Sequence, residues 1–183
     1  MRAFIGASDK DGILSIYKEL ASNVATILAR KGFKLVYGGG STGMAGTIYM
    51  TYKYENGKVK GFYDVSEATK AEELELDAID VAKNTFHRTN NLYMHADLIV
   101  ILPGGFQTLS ELFAMLVEKQ TKIEDKRIVL FNYNKFYDNI LYQLKDMIDE
   151  RFIDEDNLKQ FDIVTNISDF ENYINNLEMK EVE

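Results

Sequence analysis

One stretch of the sequence has the residue types that bind an anion at the start of a helix. An apolar run from Leu98 leads into Pro103, Gly104 and Gly105, and a helical pattern follows. Adjacent glycines let the backbone approach a ligand closely, and a helix N-terminus offers unpaired N–H groups with a partial positive charge. The stretch therefore predicts a bound anion, and in particular a phosphate.

Thr108 and Glu111, just after these glycines, allow two interpretations. The spacing Thr-x-x-Glu before an apolar helical face is typical of a capping box, in which the threonine oxygen accepts from the third helical N–H and the glutamate reaches back to the cap. Alternatively, Glu111 faces the glycine turn and acts on a ligand held at the same helix N-terminus. The spacing alone favours the capping box, and the two roles are compatible.

A second glycine-rich loop, at residues 37–46, matches the pattern G-x-G-x-x-G at Gly38, Gly40 and Gly43. Asp64 ends the next predicted strand, near the place where a dinucleotide site needs an acid for the ribose. No lysine follows the glycines, which disfavours a P-loop NTPase. The loop either contacts a phosphate or nucleotide, or its glycines only permit a tight turn from strand to helix.

Strand-like and helix-like periodicities alternate along the chain. This alternation predicts parallel strands joined by right-handed crossovers, and hence a single-domain, Rossmann-like, doubly wound α/β sheet over residues 1–183, mainly parallel and with helices on both faces. In such sheets, ligands bind beyond the carboxyl ends of the strands where the strand order switches. The predicted strands are 3–5, 33–37, 59–63, 78–81, 98–102, 128–131 and 163–164. The predicted helices are 14–31, 44–53, 85–96, 137–151, 167–177 and one that begins at 108, while residues 64–76 are ambiguous.

Composition limits the partners and the setting of the protein. Twenty-nine acidic against 21 basic residues give a formal charge of −8, which repels a nucleic-acid polymer or an anionic membrane. The absence of cysteine excludes disulfides, thiolate metal sites and a cysteine nucleophile. No apolar run is long enough for a signal peptide or a membrane span. We therefore expect a cytoplasmic protein with neither a nucleic-acid polymer nor a membrane as partner, and without a metal.

The glycine loop YGGGSTGMAG, the segment LPGGFQTLSE and Arg88 between them together resemble the LOG family, named for the plant protein LONELY GUY. Many of its members have been labelled lysine decarboxylases. The similarity covers nearly the whole chain and is weakest at residues 56–76. The family motif PGGxGTxxE falls on residues 103–111, and a second motif, MxxRK, falls on residues 85–89.

Four positions depart from these motifs in this chain. Gln107 stands where the family has glycine, and Ser110 stands where members commonly have another acid. In the second motif only Arg88 agrees, because Thr85 replaces the methionine and Thr89 replaces the lysine. The basic and acidic residues Arg88 and Glu111 are thus kept while their neighbours have changed.

The resemblance implies a phosphoribohydrolase. Members with this activity hydrolyse the N-glycosidic bond of cytokinin riboside 5′-monophosphates, and often of AMP, releasing the base and ribose 5-phosphate. They are usually dimers, so a homodimer that acts on a nucleoside 5′-monophosphate, with no cofactor, is expected here. The departures at Gln107 and Thr89 favour an alternative, a non-catalytic nucleotide or cofactor carrier on the same fold.

The resemblance also assigns site residues. Glu111 and Arg88 are the expected catalytic pair: the carboxylate stabilises positive charge on the sugar or activates water, and the cation orients the nucleotide or stabilises the departing base. The 5′-phosphate would be cradled by the glycine turn, and the neighbouring glycine loop would close the pocket. The expected substrate-binding residues are Ser8, Gly40, Ser41, Thr42, Gly43, Gly104, Gly105, Phe106, Gln107 and Thr108.

Overall fold

The computed structural model describes residues 1–121 and 126–180. Strands and helices alternate along this part of the chain, with two short 3-10 helices at Tyr133–Lys135 and Glu155–Gln160. The strands are β1 (Arg2–Gly6), β2 (Lys34–Tyr37), β3 (Val59–Asp64), β4 (Ala78–Ala82), β5 (Leu98–Ile101), β6 (Arg127–Phe131) and β7 (Asp162–Val164). The helices are α1 (Ser15–Arg30), α2 (Gly43–Tyr54), α3 (Thr69–Glu72), α4 (Thr85–His95), α5 (Phe106–Thr121), α6 (Asp138–Asp149) and α7 (Ile167–Lys180).

All of these strands join one sheet in the order β4-β3-β2-β1-β5-β6-β7. Every neighbouring pair is parallel, so the predicted α/β, Rossmann-like fold is confirmed. The chain starts in the centre of the sheet, adds β2 to β4 on one side, and then crosses back to place β5 to β7 on the other. The strand order therefore switches between β1 and β5, which opens a crevice beyond their carboxyl ends.

Helices cover both faces of the sheet, as the sequence predicts. Successive side chains of a strand point to opposite faces, so Ala3 and Ile5 of β1 pack with α1, α2 and α7. Phe4, between them, packs with α4, α5 and α6 on the other face. All four residues of β5 are buried, which is the pattern of a central strand covered on both sides. These two cores fix the strands whose ends carry the loops of the crevice.

Helix α5 begins at Phe106, two residues before the predicted start at Thr108. The carbonyl of Gly105 accepts the hydrogen bond from the N–H of Leu109, so the glycine turn itself starts the helix. Thr108 consequently lies inside the first turn and is not the N-cap. The capping box of Thr108 and Glu111 is therefore wrong, and the side chain of Glu111 is directed elsewhere.

Gly43, the first residue of α2, combines a positive φ with close contact to the backbone of another loop. Its φ is +62°, and an added Cβ would lie 2.6 Å from the carbonyl carbon of Asp9. We expect Gly43→Ala to cost more than about 1 kcal/mol of unfolding free energy, because it adds a clash to the strain of a positive φ. Gly12→Ala is the matched control, since Gly12 has a φ of +76° but open space around it.

Urea denaturation of both variants measures the difference. Gly12→Ala should lose only the backbone contribution, and Gly43→Ala should lose clearly more. Equal losses for the two variants would contradict the close packing of Asp9 against the start of α2.

Candidate active site

A buried arginine organises the site. Arg88 lies on α4 and its side chain is only 2% exposed. Its Nε donates to the carbonyl of Phe62 in β3 at 3.1 Å, and its Nη2 donates to the carbonyl of Gly38, just after β2, at 2.6 Å. Its Nη1 donates to Oε1 of Glu111 on α5 at 3.2 Å. One guanidinium therefore connects the ends of two strands to a helix from the other side of the crevice.

The position of the Arg88 side chain explains why the first G-x-G-x-x-G position of the glycine-rich loop, Gly38, is a glycine. An added Cβ on Gly38 would collide with Nη2 of Arg88. Glycine is required at this position because a guanidinium passes over the backbone there. This close approach is internal to the protein, so Gly38 by itself carries no information about a ligand.

Glu111 is a buried carboxylate with an altered acidity. Its residue is 5% exposed, and burial raises the pKa of its carboxyl above the ordinary value for glutamate, while Arg88 and a hydrogen bond from Gln107 oppose that rise. Its Oε2 faces the end of β1, where an added Cβ on Gly6 would lie 3.6 Å away. A buried carboxyl with a raised pKa beside a cavity is a candidate for proton transfer or charge stabilisation.

Further charged side chains form a series of ion pairs that begins at Arg88. Oε2 of Glu67 lies 3.8 Å from Nε of Arg88, and Oε1 of Glu67 accepts from Nζ of Lys70 at 2.8 Å. Lys70 also donates to the carboxylate of Asp9 in the loop after β1, at 3.0 Å. The signs alternate from Asp9 through to Glu111. Sequence reasoning missed Glu67 and Lys70, because they lie in the segment that showed no clear periodicity.

The start of α5 has backbone donors that no acceptor among the described residues occupies. In the part of the chain that the structure describes, no hydrogen bond reaches the backbone N–H groups of Phe106, Gln107 and Thr108. They lie at a cavity of about 220 Å³ between the loops after β1 and β5, which we call the switch-point cavity. Its lining includes Gly6, Ser8, Asp9, Lys10, Tyr37, Arg88, Gly105, Phe106, Gln107, Thr108 and Glu111. Lys10 is a cation of this cavity that sequence reasoning missed; no motif contained it.

Gly104 allows a side chain to pack closely against the glycine turn. An added Cβ on Gly104 would collide with the side chain of Thr108, so glycine allows the buried threonine to pack against the turn. Gly104 lines an adjoining cavity of about 330 Å³ together with Ser8 and Gly105. The structure thus brings Ser8, Gly105, Phe106, Gln107 and Thr108 together with the Arg88–Glu111 pair, and it places Gly104 directly behind them.

The start of α2 differs from the start of α5 because protein atoms already occupy it. The carbonyl of Ser8 accepts from the N–H groups of Met44 and Ala45, at 2.9 and 3.0 Å. The hydroxyl of Thr42 donates to the carbonyl of Asp9 at 2.6 Å. Few N–H groups of this helix start are therefore left for a phosphate.

Only part of the glycine-rich loop reaches the switch-point cavity: Tyr37, Gly38, Gly39 and Ala45 line it, whereas residues 40–43 lie apart from it. Ser41, Thr42 and Gly43 line a separate groove of about 690 Å³ between α1 and α2. The carbonyl of Gly40 accepts from the hydroxyl of Tyr37 at 2.5 Å, and Gly40 is not among the residues that line the switch-point cavity. The structure does not bring these four predicted residues to Glu111.

Asp64 does not offer its carboxylate to a ribose. It is 1% exposed and accepts hydrogen bonds from Ser66 and from the hydroxyl of Thr85. These bonds, of which that from the Ser66 hydroxyl contributes most, lower the pKa of Asp64 to about 2. Asp64 joins the end of β3 to the start of α4, so the dinucleotide interpretation of the glycine-rich loop loses its acidic partner.

A second cavity adjoins the first on the other side of Glu111. It has a volume of about 370 Å³, and we call it the hydroxyl-lined cavity. Gln107 is the second residue of α5 and has an ordinary negative φ, so it extends the wall between the two cavities without backbone strain. The lining of the hydroxyl-lined cavity is Ser66, Glu67, Thr85, Thr89, Phe106, Gln107, Ser110 and Glu111.

The described residues offer neither a metal-binding cluster nor a membrane-spanning helix. Among residues 1–121 and 126–180, no three histidine or acidic side chains gather in a way that could hold a metal ion. No helix within the same ranges combines the length and apolar character needed to cross a bilayer.

A family model described as "Possible lysine decarboxylase" matches residues 45–174. The cytokinin riboside 5′-monophosphate phosphoribohydrolases LOG5 and LOG2 of Arabidopsis thaliana are 30% and 31% identical to this chain over 151 residues. The chain belongs to the LOG family. Each alignment covers 82% of the chain, and the two cover 65% of the length of LOG5 and 70% of that of LOG2. The family resemblance read from the motifs is confirmed.

The fold of this LOG-family chain also matches solved structures. The Moco carrier protein from Chlamydomonas reinhardtii aligns with a TM-score of 0.70, covering 97% of both chains at 16% sequence identity. At this identity the likeness shows the fold alone. The same parallel sheet therefore occurs in a protein whose name denotes a carrier.

The buried contacts of Arg88 predict a large loss of stability when this residue is replaced. We expect Arg88→Met to lower the free energy of unfolding by about 3–5 kcal/mol, because it leaves the Glu111 carboxylate buried without its cation. Arg30→Met is the control, since the guanidinium of Arg30 pairs with Glu55 at the surface. Denaturant unfolding should show a far smaller loss for Arg30→Met. Similar losses for the two variants would contradict the role given to the buried network.

Proposed function

We propose that this protein hydrolyses the N-glycosidic bond of a nucleoside 5′-monophosphate, either AMP or a cytokinin riboside 5′-monophosphate. The products are the free base and ribose 5-phosphate. The observation that carries the proposal is the position of Glu111, a buried carboxylate that faces the same cavity as the open N–H groups of α5. The names of the LOG5 and LOG2 relatives support this reaction.

In the proposed complex, the 5′-phosphate binds the N–H groups of Phe106, Gln107 and Thr108, where the helix dipole favours an anion. The ribose then lies beside Glu111. Three of the five N–H donors of Arg88 already bind protein oxygens, one of them Oε1 of Glu111. Arg88 therefore orients the carboxylate through Oε1, and Oε2, which faces the end of β1, is directed towards the sugar or a water molecule.

Cleavage proceeds through developing positive charge on the sugar, which an ionised carboxylate stabilises. The carbon–nitrogen bond breaks with its electron pair going to the base. The oxygen of water bonds to the anomeric carbon, and Glu111 accepts the proton that water loses. That proton, passed to the base nitrogen or to solvent, balances the reaction and restores the carboxylate.

We further propose that the protein acts in the cytoplasm as a homodimer on this nucleotide. The apolar side chains of Phe86, Phe106 and Val117 are exposed on α4 and α5, which gives a second copy a surface to cover. The charge of −8 argues against a nucleic-acid polymer as partner. Light scattering that reports only a monomer at micromolar concentration would contradict the homodimer.

Turnover tests the proposed reaction. We expect the wild-type protein to release free base from AMP or isopentenyladenosine monophosphate, and Glu111→Gln to reduce kcat by at least about a hundredfold. Gln keeps the size and a hydrogen-bonding group of the side chain but removes its charge. Chromatography of the free base measures the rate.

The same experiment decides between this reaction and a carrier function. The contact of Gln107 with the Glu111 carboxylate favours the alternative of a non-catalytic nucleotide or cofactor carrier, since it occupies part of the catalytic group. Tight binding of AMP by calorimetry, with no base release above that of Glu111→Gln, would overturn hydrolysis and support the carrier.

The pKa of Glu111 predicts the pH dependence. The reaction needs the carboxylate ionised, so activity is full above its pKa and is lost as the pH falls through it. Because burial raises this pKa, the acid limb of kcat/KM should have its midpoint above pH 4.5, the ordinary value for a glutamate. A midpoint near pH 2 would point to Asp64 instead of Glu111.

A further inference from the structure

Four departures from the family motifs meet in one place. Thr85 and Thr89 lie on α4, and Gln107 and Ser110 lie on α5. All four line the hydroxyl-lined cavity. The motif residues at these positions are a methionine, a lysine, a glycine and commonly an acid, whereas this chain has hydroxyls and an amide. The changes therefore concern the chemistry of one cavity.

The lining of this cavity combines two carboxylates, those of Glu67 and Glu111, with hydroxyl groups and an amide. Ser66 and Thr85 each donate to Asp64, which leaves their oxygen lone pairs as acceptors. Over the residues that the structure describes, no hydrogen bond involves the hydroxyls of Thr89 or Ser110. These two hydroxyls are available both to donate and to accept.

The position of the hydroxyl-lined cavity suits the nucleobase, which is the leaving group of the proposed reaction. Phe106, Gln107 and Glu111 line both cavities, so Glu111 lies in the wall between them. The phosphate is assigned to the start of α5 on the switch-point side. A carbon–nitrogen bond beside Glu111 then separates the ribose on that side from the base on the other.

We propose that the hydroxyl-lined cavity holds the departing nucleobase and selects an unsubstituted base over one with an apolar N6 substituent. This inference rests on the proposed hydrolase function. A base with a polar edge pairs with the hydroxyls of Thr89 and Ser110, whereas an isopentenyl group would bury them without partners. Sites built to hydrogen-bond a substrate reject analogues that lack the bonding group.

The preference is measured as the ratio of kcat/KM for AMP to kcat/KM for isopentenyladenosine monophosphate. We expect this ratio to exceed about 10 for the wild-type protein, since one hydrogen bond left unmade when the ligand covers these hydroxyls has roughly that effect. Thr89→Val, which removes the hydroxyl and keeps the shape, should lower the ratio about fivefold. Thr26→Val is the matched control: Thr26 is also a half-buried helical threonine, but it lies on α1, across the sheet.

A binding measurement separates this inference from the reaction. Calorimetric titration of Glu111→Gln with both nucleotides reports the preference without turnover, and Thr89→Val in that background should reduce it. A wild-type preference for the isopentenyl nucleotide would overturn the assignment of the base to this cavity. An equal effect of Thr89→Val and Thr26→Val would do the same, and neither result would contradict the proposed hydrolysis. Absence of base release from either nucleotide would overturn the proposed hydrolase function. The ratio of the two binding affinities would still test whether the base occupies this cavity.

Discussion

The buried guanidinium of Arg88 is the constraint on which the rest of the site depends. A charge with 2% exposure is stable only if its donors find acceptors, and here the acceptors come from the loop after β2, from β3 and from α5. The ends of these elements must therefore stay in register with α4. Gly38 is a glycine for the same reason. The result is a carboxylate, that of Glu111, held in a fixed place at the crevice of a parallel sheet.

Much of the architecture follows from local patterns. Alternating apolar periodicity locates the strands and the longer helices, whereas the four-residue α3 and the two 3-10 helices lie in segments without a prediction. Arg88 and Glu111 are singled out by the resemblance of their motifs to the LOG family, since spacing alone favours a capping role for Glu111. The helix start at Phe106 was missed because a Thr-x-x-Glu pattern resembles a cap, whereas the turn at Gly105 already supplies the first helical acceptor.

The rest depends on contacts between distant parts of the chain, which spacing cannot reveal. The glycine-rich loop looks like a phosphate cradle until the carbonyl of Ser8 is found at the start of α2, 36 positions along at Met44. Glu67 and Lys70 enter the network through the fold and through no motif. Likewise, Thr89 and Gln107 belong to different motifs and become neighbours only where α4 packs beside α5.

The bond pattern around Ser8 has a consequence for how a ligand is received. The carbonyl of Ser8 holds two N–H groups of α2, and Thr42 holds the carbonyl of Asp9, so the loops after β1 and β2 are joined before any ligand arrives. The wall loses its conformational entropy during folding. Ligand binding therefore does not have to order it again. A ligand therefore meets a wall that is already ordered on the side of β1 and β2, opposite the open N–H groups of α5.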